Sequence, residues 1–227
     1  MPDEVVLSVR GEAQRAVAPD AAVLYGQLSA FAPSKAEALA LVRAAQDVLV
    51  TALSALGAVP LTAAAERSPL TWSVTSVATH DERIYDPDAT AGRIFASAHL
   101  NVTVRDLRQL DEVAGTLGRQ SALELHGASW RVDPDNPAWP PVRAAAIDAA
   151  IAKGRDYAAA LGGTLRRVLQ VADAGLLGND DAVGEYEGTP AALAMGGHSA
   201  MPSLDPVPQE LRAVIEARLI ADVPPLG

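Results

Sequence analysis

Apolar residues between positions 20 and 132 fall into six segments, and the order of these segments limits the fold more than any other feature. Side chains that alternate predict strands, and side chains that recur every three to four residues predict helices. After an apolar run that follows Asp20, we expect helices at 35–56 and 107–118 and strands at 69–79, 93–105 and 121–132. The order strand, helix, strand, strand, helix, strand is typical of a ferredoxin-like βαββαβ unit.

Local signals support these segments. Ser34 and Glu37 form a capping box at the start of the first helix, and Asp106 is placed to cap the second. The first helix is predicted to bury its apolar positions Leu39, Val42, Ala45, Val48, Leu49, Leu53 and Leu56. In the strand at 93–105, Phe95 and His99 lie on the polar face. A bulge is expected near Gly127.

The chain begins with an alternating strand at 4–18 that contains Gly11-Glu12-Ala13. Pro19-Asp20 suits a tight turn, because proline fixes φ and aspartate can hydrogen-bond to its own backbone. The sequence therefore predicts an opening hairpin in which this strand returns directly into the next apolar run.

The second half begins after a loop with four prolines between positions 134 and 141. We expect a helix at 142–161, a strand at 164–174, a long loop at 175–208 and a segment at 209–222 whose pattern fits either a strand or a helix. Gly154 within the helix costs about 1 kcal/mol relative to alanine, unless a neighbour packs against it.

Two groups of residues resemble the SIMPL-domain (DUF541) family. The first is Gly11-Glu12-Ala13 with the Pro19-Asp20 turn, and the second comprises Ala145, Ile147, Ala149, Lys153, Ala158, Gly162, Leu165 and Val168. The resemblance implies that the segment at 209–222 is a strand. We then expect an α+β protein in which a ferredoxin-like unit at 20–133 is inserted into a second, discontinuous α+β unit formed by 1–19 and 134–227.

Composition excludes several classes of function. The formal net charge of −10 and the lack of a basic stripe argue against nucleic-acid binding. The absence of cysteine excludes disulfides, thiolate metal sites and cysteine nucleophiles. Met1-Pro2-Asp3-Glu4 has no signal-peptide features, and we see no apolar run of about 20 residues. We therefore expect a soluble, cytoplasmic protein without membrane insertion, and the alanine-rich acidic chain looks bacterial.

No motif predicts catalytic, cofactor-binding or metal-binding residues, and we expect no enzyme activity and no cofactor. The four histidines, His80, His99, His126 and His198, are not at metal-ligand spacing with each other or with carboxylates. Gly197-His198-Ser199-Ala200-Met201 only partly matches a hydrolase nucleophile elbow, because Met201 replaces the second glycine. Asp86-Pro87-Asp88 is interpreted as a turn and not as a calcium site, because it lacks the alternating oxygen ligands and the closing glutamate of an EF-hand loop.

Three functions remain. The first is a self-assembling or protein-interaction module. We expect a homo-oligomer, because exposed sheet edges need covering. The resemblance also implies a stress-related role. The second is small-ligand binding, in the cleft between the two units or on the sheet face that the helices leave open. In that case Trp72, Trp130 and Trp139 are candidate pocket walls, although packing in the core or at an interface explains them more simply. The third is a hydrolase that uses Ser199.

Overall fold

The computed structural model describes residues 3–81, 93–177 and 204–225. The elements in chain order are β1 (Asp3–Val17), β2 (Ala21–Ala32), α1 (Lys35–Ala55), β3 (Val59–Pro60), β4 (Leu70–Asp81), β5 (Ile94–Val104), α2 (Leu110–Gly118), β6 (Leu123–Arg131), α3 (Trp139–Ala160), β7 (Thr164–Asp173) and β8 (Gln209–Val223). This mixture of helices and strands confirms the α+β fold class. Contacts divide the chain into an end unit (residues 1–18, 133–189 and 208–227) and a middle unit (residues 19–132 and 190–207).

The middle unit contains a five-stranded sheet in the order β3-β4-β5-β2-β6. The strand and helix order expected for this region is present, with the short β3 in addition. The even-numbered residues of β5 from Ala96 to Val104 are at most 1% exposed and pack with α1 and α2 in one core. The odd-numbered residues point to the other side of the sheet, which we call the open face.

The predicted helix caps of the middle unit are present. The Ser34 hydroxyl accepts a hydrogen bond from the Glu37 N–H at 3.3 Å and donates one to the Glu37 carboxylate at 3.0 Å. Asp106 accepts from the Arg108 N–H at 3.3 Å, which starts a short 3-10 turn at Leu107–Gln109 ahead of α2. The expected bulge is also confirmed: Gly127 lies at φ +147°, and the β2–β6 register shifts beside it.

The end unit contains the antiparallel sheet β1-β8-β7 with α3 packed on one face. Glycines allow this close packing. A Cβ on Gly11 would overlap the Ala146 carbonyl, and a Cβ on Gly154 would overlap the Cδ1 of Leu219. The close neighbour that could justify Gly154 inside a helix is therefore Leu219.

The undecided segment at 209–222 is the strand β8, as the resemblance implied. β8 pairs with β1 over its whole length, from Asp3 opposite Val223 to Val17 opposite Gln209, and with β7 on its other side. Strand neighbours on both sides decide between the two alternatives, because tertiary context overrides weak local propensities.

The predicted opening hairpin is wrong. β1 pairs with β8, whereas β2 pairs with β5 and β6, so Pro19-Asp20 connects strands of two different sheets. The Asp20 N–H donates to the Arg131 carbonyl at 2.8 Å, which anchors the start of β2 to β6. The residues Pro19 and Asp20 favour a turn of the backbone, but they do not determine which strand pairs with β1.

One described helix, α1, is long and apolar enough to cross a membrane, with 21 residues and a mean hydropathy of 1.4. This finding differs from the expectation that no segment approaches that length. A core helix can meet the same test, and the inner side of α1 is packed in the middle-unit core through Ala38, Val42, Leu49 and Leu53.

Several sequence expectations fall on residues outside the described ranges. These are Asp86-Pro87-Asp88, the segment around His198 and Ser199, and most of the loop at 175–208.

Candidate functional site

The outer side of α1 carries an apolar stripe that we call the α1 stripe, made of Leu41, Ala44 and Val48. Leu41 is 51% exposed and Val48 is 60% exposed, and Ala44 between them is also exposed. The prediction that Val48 belongs to the buried stripe is wrong. The helix is apolar on most of its surface, so its sequence alone does not decide which side faces the sheet.

The spacing of the α1 stripe is that of a helix-pairing seam. Positions 41, 44, 48, 51 and 55 are separated by alternating steps of three and four residues, and all five are exposed. Steps of three and four average 3.5 residues, which is the repeat that keeps one seam facing a partner helix. This spacing was present in the sequence and could have revealed the stripe.

The sheet edges carry features that disfavour pairing with another strand. The β7 register shifts twice against β8, and β6 contains the bulge at Gly127. At the β1 edge, the Lys153 ammonium donates to the Arg10 carbonyl at 2.7 Å. Bulges and edge lysines are common protections against edge-to-edge association. The exposed edges are therefore less suited to self-association than the α1 stripe.

The open face of the middle unit carries a row of three rings, which we call the ring row. Phe31 of β2 and His80 of β4 both lie directly opposite Phe95 of β5. The ring centroids are 4.9 Å apart for Phe31 and Phe95 and 4.6 Å apart for His80 and Phe95. The Arg93 guanidinium lies 4.9 Å from the centre of the Phe31 ring. Both phenylalanines of the chain are thus outside the core.

A pair of histidines lies farther along the same face. His99 of β5 and His126 of β6 have ring centroids 6.3 Å apart, although 27 positions separate them in the sequence. Spacing along the sequence does not reveal this contact, because it depends on β2 lying between the two strands in the sheet. In the described ranges, no three His, Cys, Asp or Glu side chains are grouped to hold a metal ion.

In the end unit, the sheet face away from α3 carries ion pairs. Arg10 contacts Glu216 at 2.9 Å, and Arg212 contacts Glu12 at 2.5 Å. The hydrogen bond from Arg10 lowers the pKa of Glu216, helped by the backbone N–H groups of Gly175 and Leu177. The hydrogen bond from Arg212 lowers the pKa of Glu12.

A shallow pocket of about 270 Å³ lies on this charged face, beside Ser8, Arg10, Leu177, Glu216 and Arg218. Its polar groups already satisfy each other: Arg218 donates to the Leu177 carbonyl at 3.0 Å, and the Leu177 N–H donates to Glu216 at 3.2 Å. These contacts hold the 174–177 turn against the sheet.

The three tryptophans have packing roles. Trp72 and Trp130 pack against the middle-unit core. Trp139 begins α3, where its indole N–H donates to the Asp133 carbonyl at 3.2 Å and its ring contacts Arg143. These contacts support packing roles for the three tryptophans.

A family model described as SIMPL, protein of unknown function (DUF541), matches residues 7–219 of the 227-residue chain. The chain belongs to the SIMPL family. None of the curated proteins compared with the chain matches it. The resemblance noted in the sequence is thereby confirmed.

Several of the residues that carry the SIMPL resemblance contribute to the packing of the end unit. Gly11 has no side chain and so allows α3 to approach closely, and Lys153 binds the Arg10 carbonyl. Ala158 packs with Leu165 in a small core. In the end unit, the SIMPL pattern therefore describes the scaffold.

Proposed function

We propose that this SIMPL-family chain is a non-enzymatic interaction module that associates with further copies of itself through the α1 stripe. The observation that carries the proposal is the exposure of Leu41 and Val48 on a helix whose opposite side is already packed. Exposed apolar surface that lies together on one element is a frequent mark of a protein contact. We favour a second copy as the partner, because a heptad seam can pair with itself.

The side chains of the α1 stripe suggest a weak contact. Full burial of a leucine or valine side chain contributes about 1.5–3 kcal/mol. Leu41 and Val48 are already about half buried, so two copies together gain roughly 3–6 kcal/mol from four side chains. These side chains therefore allow dissociation constants no tighter than tens of micromolar, because association also costs translational and rotational freedom. We therefore expect association that depends on protein concentration.

The non-enzymatic part of the proposal rests on the kinds of contact that the polar side chains make. They form ion pairs such as Arg10 with Glu216, a ring contact between His80 and Phe95, and a hydrogen bond of 2.9 Å between Tyr25 and Ser129. A stress-related role is suggested by the family resemblance alone. It would have to operate without thiol chemistry, because the chain contains no cysteine.

Sedimentation velocity from about 10 µM to 1 mM tests the proposal. We expect the average mass of the native chain to rise with concentration. Val48→Glu, which places a charge in the seam, should keep the chain monomeric over that range. Val77→Glu is the matched control, because Val77 is 59% exposed but lies on β4. A native chain that stays monomeric, or a Val48→Glu variant that associates like Val77→Glu, contradicts the proposal.

A further inference from the structure

We propose that the open face of the middle unit binds one divalent transition-metal ion between His99 and His126. The ion belongs to the class that imidazole nitrogens coordinate well, of which Zn²⁺ is the representative. The site lies on the side of the sheet away from the core that α1 helps to form, so it goes beyond the proposed self-association and does not depend on it.

The register of three strands brings the two histidines together. β2 lies between β5 and β6, and His99 of β5 is directly opposite Gln27 of β2. On the other side of β2, the pairing with β6 passes from Leu125 straight to Gly127. His126 is therefore the extra residue of the bulge, and it has no partner of its own on β2. A bulge can change the direction of a side chain, and this one places the His126 ring beside the His99 ring.

The nitrogen atoms of both rings are available to a metal ion. Both histidines are exposed, and Gly127 beside His126 has no side chain that could occupy the space. Within the part of the chain that the structure describes, neither ring makes a hydrogen bond or an ion pair. A neutral imidazole has one ring nitrogen with a free lone pair, and this nitrogen is the atom that coordinates metals. The two rings therefore offer one ligand atom each.

The separation of the rings is close to that of a shared ion. A tetrahedral Zn²⁺ ion with bonds of about 2.0–2.1 Å to two imidazole nitrogens holds the ring centres roughly 5 Å apart. The ring centroids of His99 and His126 are 6.3 Å apart. Exposed side chains change rotamer within nanoseconds, so the rings can close this difference without repacking of the core.

The ligand atoms and the nearby charge select the class of ion. Imidazole suits zinc, copper and nickel, whereas Mg²⁺ and Ca²⁺ prefer oxygen ligands. Glu124 is exposed opposite Gln27, in the same cross-strand row as His99, and its carboxylate favours a cation. In the described ranges, no three His, Cys, Asp or Glu side chains are grouped around one point, so water completes the coordination. Structural and catalytic zinc sites have three or four protein ligands, and an ion with two should exchange readily.

NMR of ¹³C- and ¹⁵N-labelled histidine tests the proposal, because the chain contains four histidines and each gives its own ring signals. ZnCl₂ is added to the full chain after treatment with a chelator, and the loss of a signal in each single variant assigns it. We expect saturable changes in the ring signals of His99 and His126, with one ion bound per chain. MgCl₂ at the same concentration is the matched control and should leave both rings unchanged.

Substitutions locate the site. Loss of a group that only supports a metal ligand weakens binding about 10–100-fold, so His99→Gln and His126→Gln should each weaken Zn²⁺ binding by at least about tenfold. In the double variant, the second substitution should cost much less than the first, because the two rings share one ion. His80→Gln is the matched control on the same face and should bind Zn²⁺ normally. Val48→Glu should also bind normally, which separates this inference from self-association.

Three results would overturn the inference. The first is the absence of saturable changes in the two ring signals with ZnCl₂, or equal changes with MgCl₂. The second is normal Zn²⁺ binding by either single variant, which would show that the two rings do not share an ion. The third is one ion bound per two chains, which would place the ion between copies.

Discussion

Two helical glycines should respond differently to the same substitution, because one has space for a methyl group and the other does not. Alanine in place of a helical glycine stabilises a helix by about 1 kcal/mol. At Gly115 in α2, the nearest atom to the new Cβ is an Arg119 guanidinium nitrogen at 3.6 Å, which is ordinary contact. Gly115→Ala should therefore stabilise the middle unit by about 1 kcal/mol.

Gly154→Ala should destabilise the end unit or leave it unchanged. The new Cβ would lie well inside the 3.4 Å at which ordinary contact with Leu219 Cδ1 begins, and Leu219 is fully buried. Overpacking of a core costs about 1–3 kcal/mol. After subtraction of the helix gain of about 1 kcal/mol, the expected net loss is about 0–2 kcal/mol.

Native-state hydrogen exchange measures each unit separately, because peptides from α2 and α3 report their own opening free energies. A double-mutant cycle tests the cause. Leu219→Ala alone should cost about 2–5 kcal/mol, and it should cost less when Gly154→Ala is present, because the new methyl group fills part of the space. Stabilisation by Gly154→Ala equal to that by Gly115→Ala would refute the close packing of α3 on β8.

Two further predictions concern a helix cap and an ion pair. Ser34→Ala should destabilise the middle unit by about 1 kcal/mol in urea unfolding, because the Glu37 N–H loses its acceptor; Ser54→Ala, near the other end of α1, is the control and should change stability by less. Arg10→Gln should raise the pKa of Glu216 in an NMR titration, because Arg10 is the main cause of its lowered value. A lowered carboxyl pKa stabilises the fold above the usual glutamate pKa of about 4.3, and this contribution is lost as the pH falls through the lowered value. An unchanged Glu216 titration would show that the Arg10 contact is not maintained in solution.

The sequence predicted features that depend on neighbouring positions. The alternation of buried and exposed side chains in β5 and the cap at Ser34 are confirmed. Both features depend only on residues that lie close together in the sequence. Strand partners that lie far apart in the chain were not predicted correctly. The pairing of β1 with β8 joins residues more than 190 positions apart, and local spacing contains no information about it.

The exposed surfaces show the same limit. Leu41 and Val48 lie on a helix that is apolar on most sides, so only the position of the sheet decides that they face outward. His99 and His126 meet because the strand order places β2 between their strands. Phe95 was correctly placed on the polar face, but its partner Phe31 required the register of β2 against β5.

Cysteine trapping is the most direct test of contact between the α1 stripes of two copies. The chain has no cysteine, so Leu41→Cys, Ala44→Cys and Val48→Cys each introduce a single thiol. A disulfide forms only where two Cα atoms approach within about 7 Å. Under mild oxidation, we expect a covalent dimer from at least one of these variants, at a higher yield than from Val77→Cys. No dimer from any of the three, or equal yields from Val77→Cys, would contradict pairing through α1.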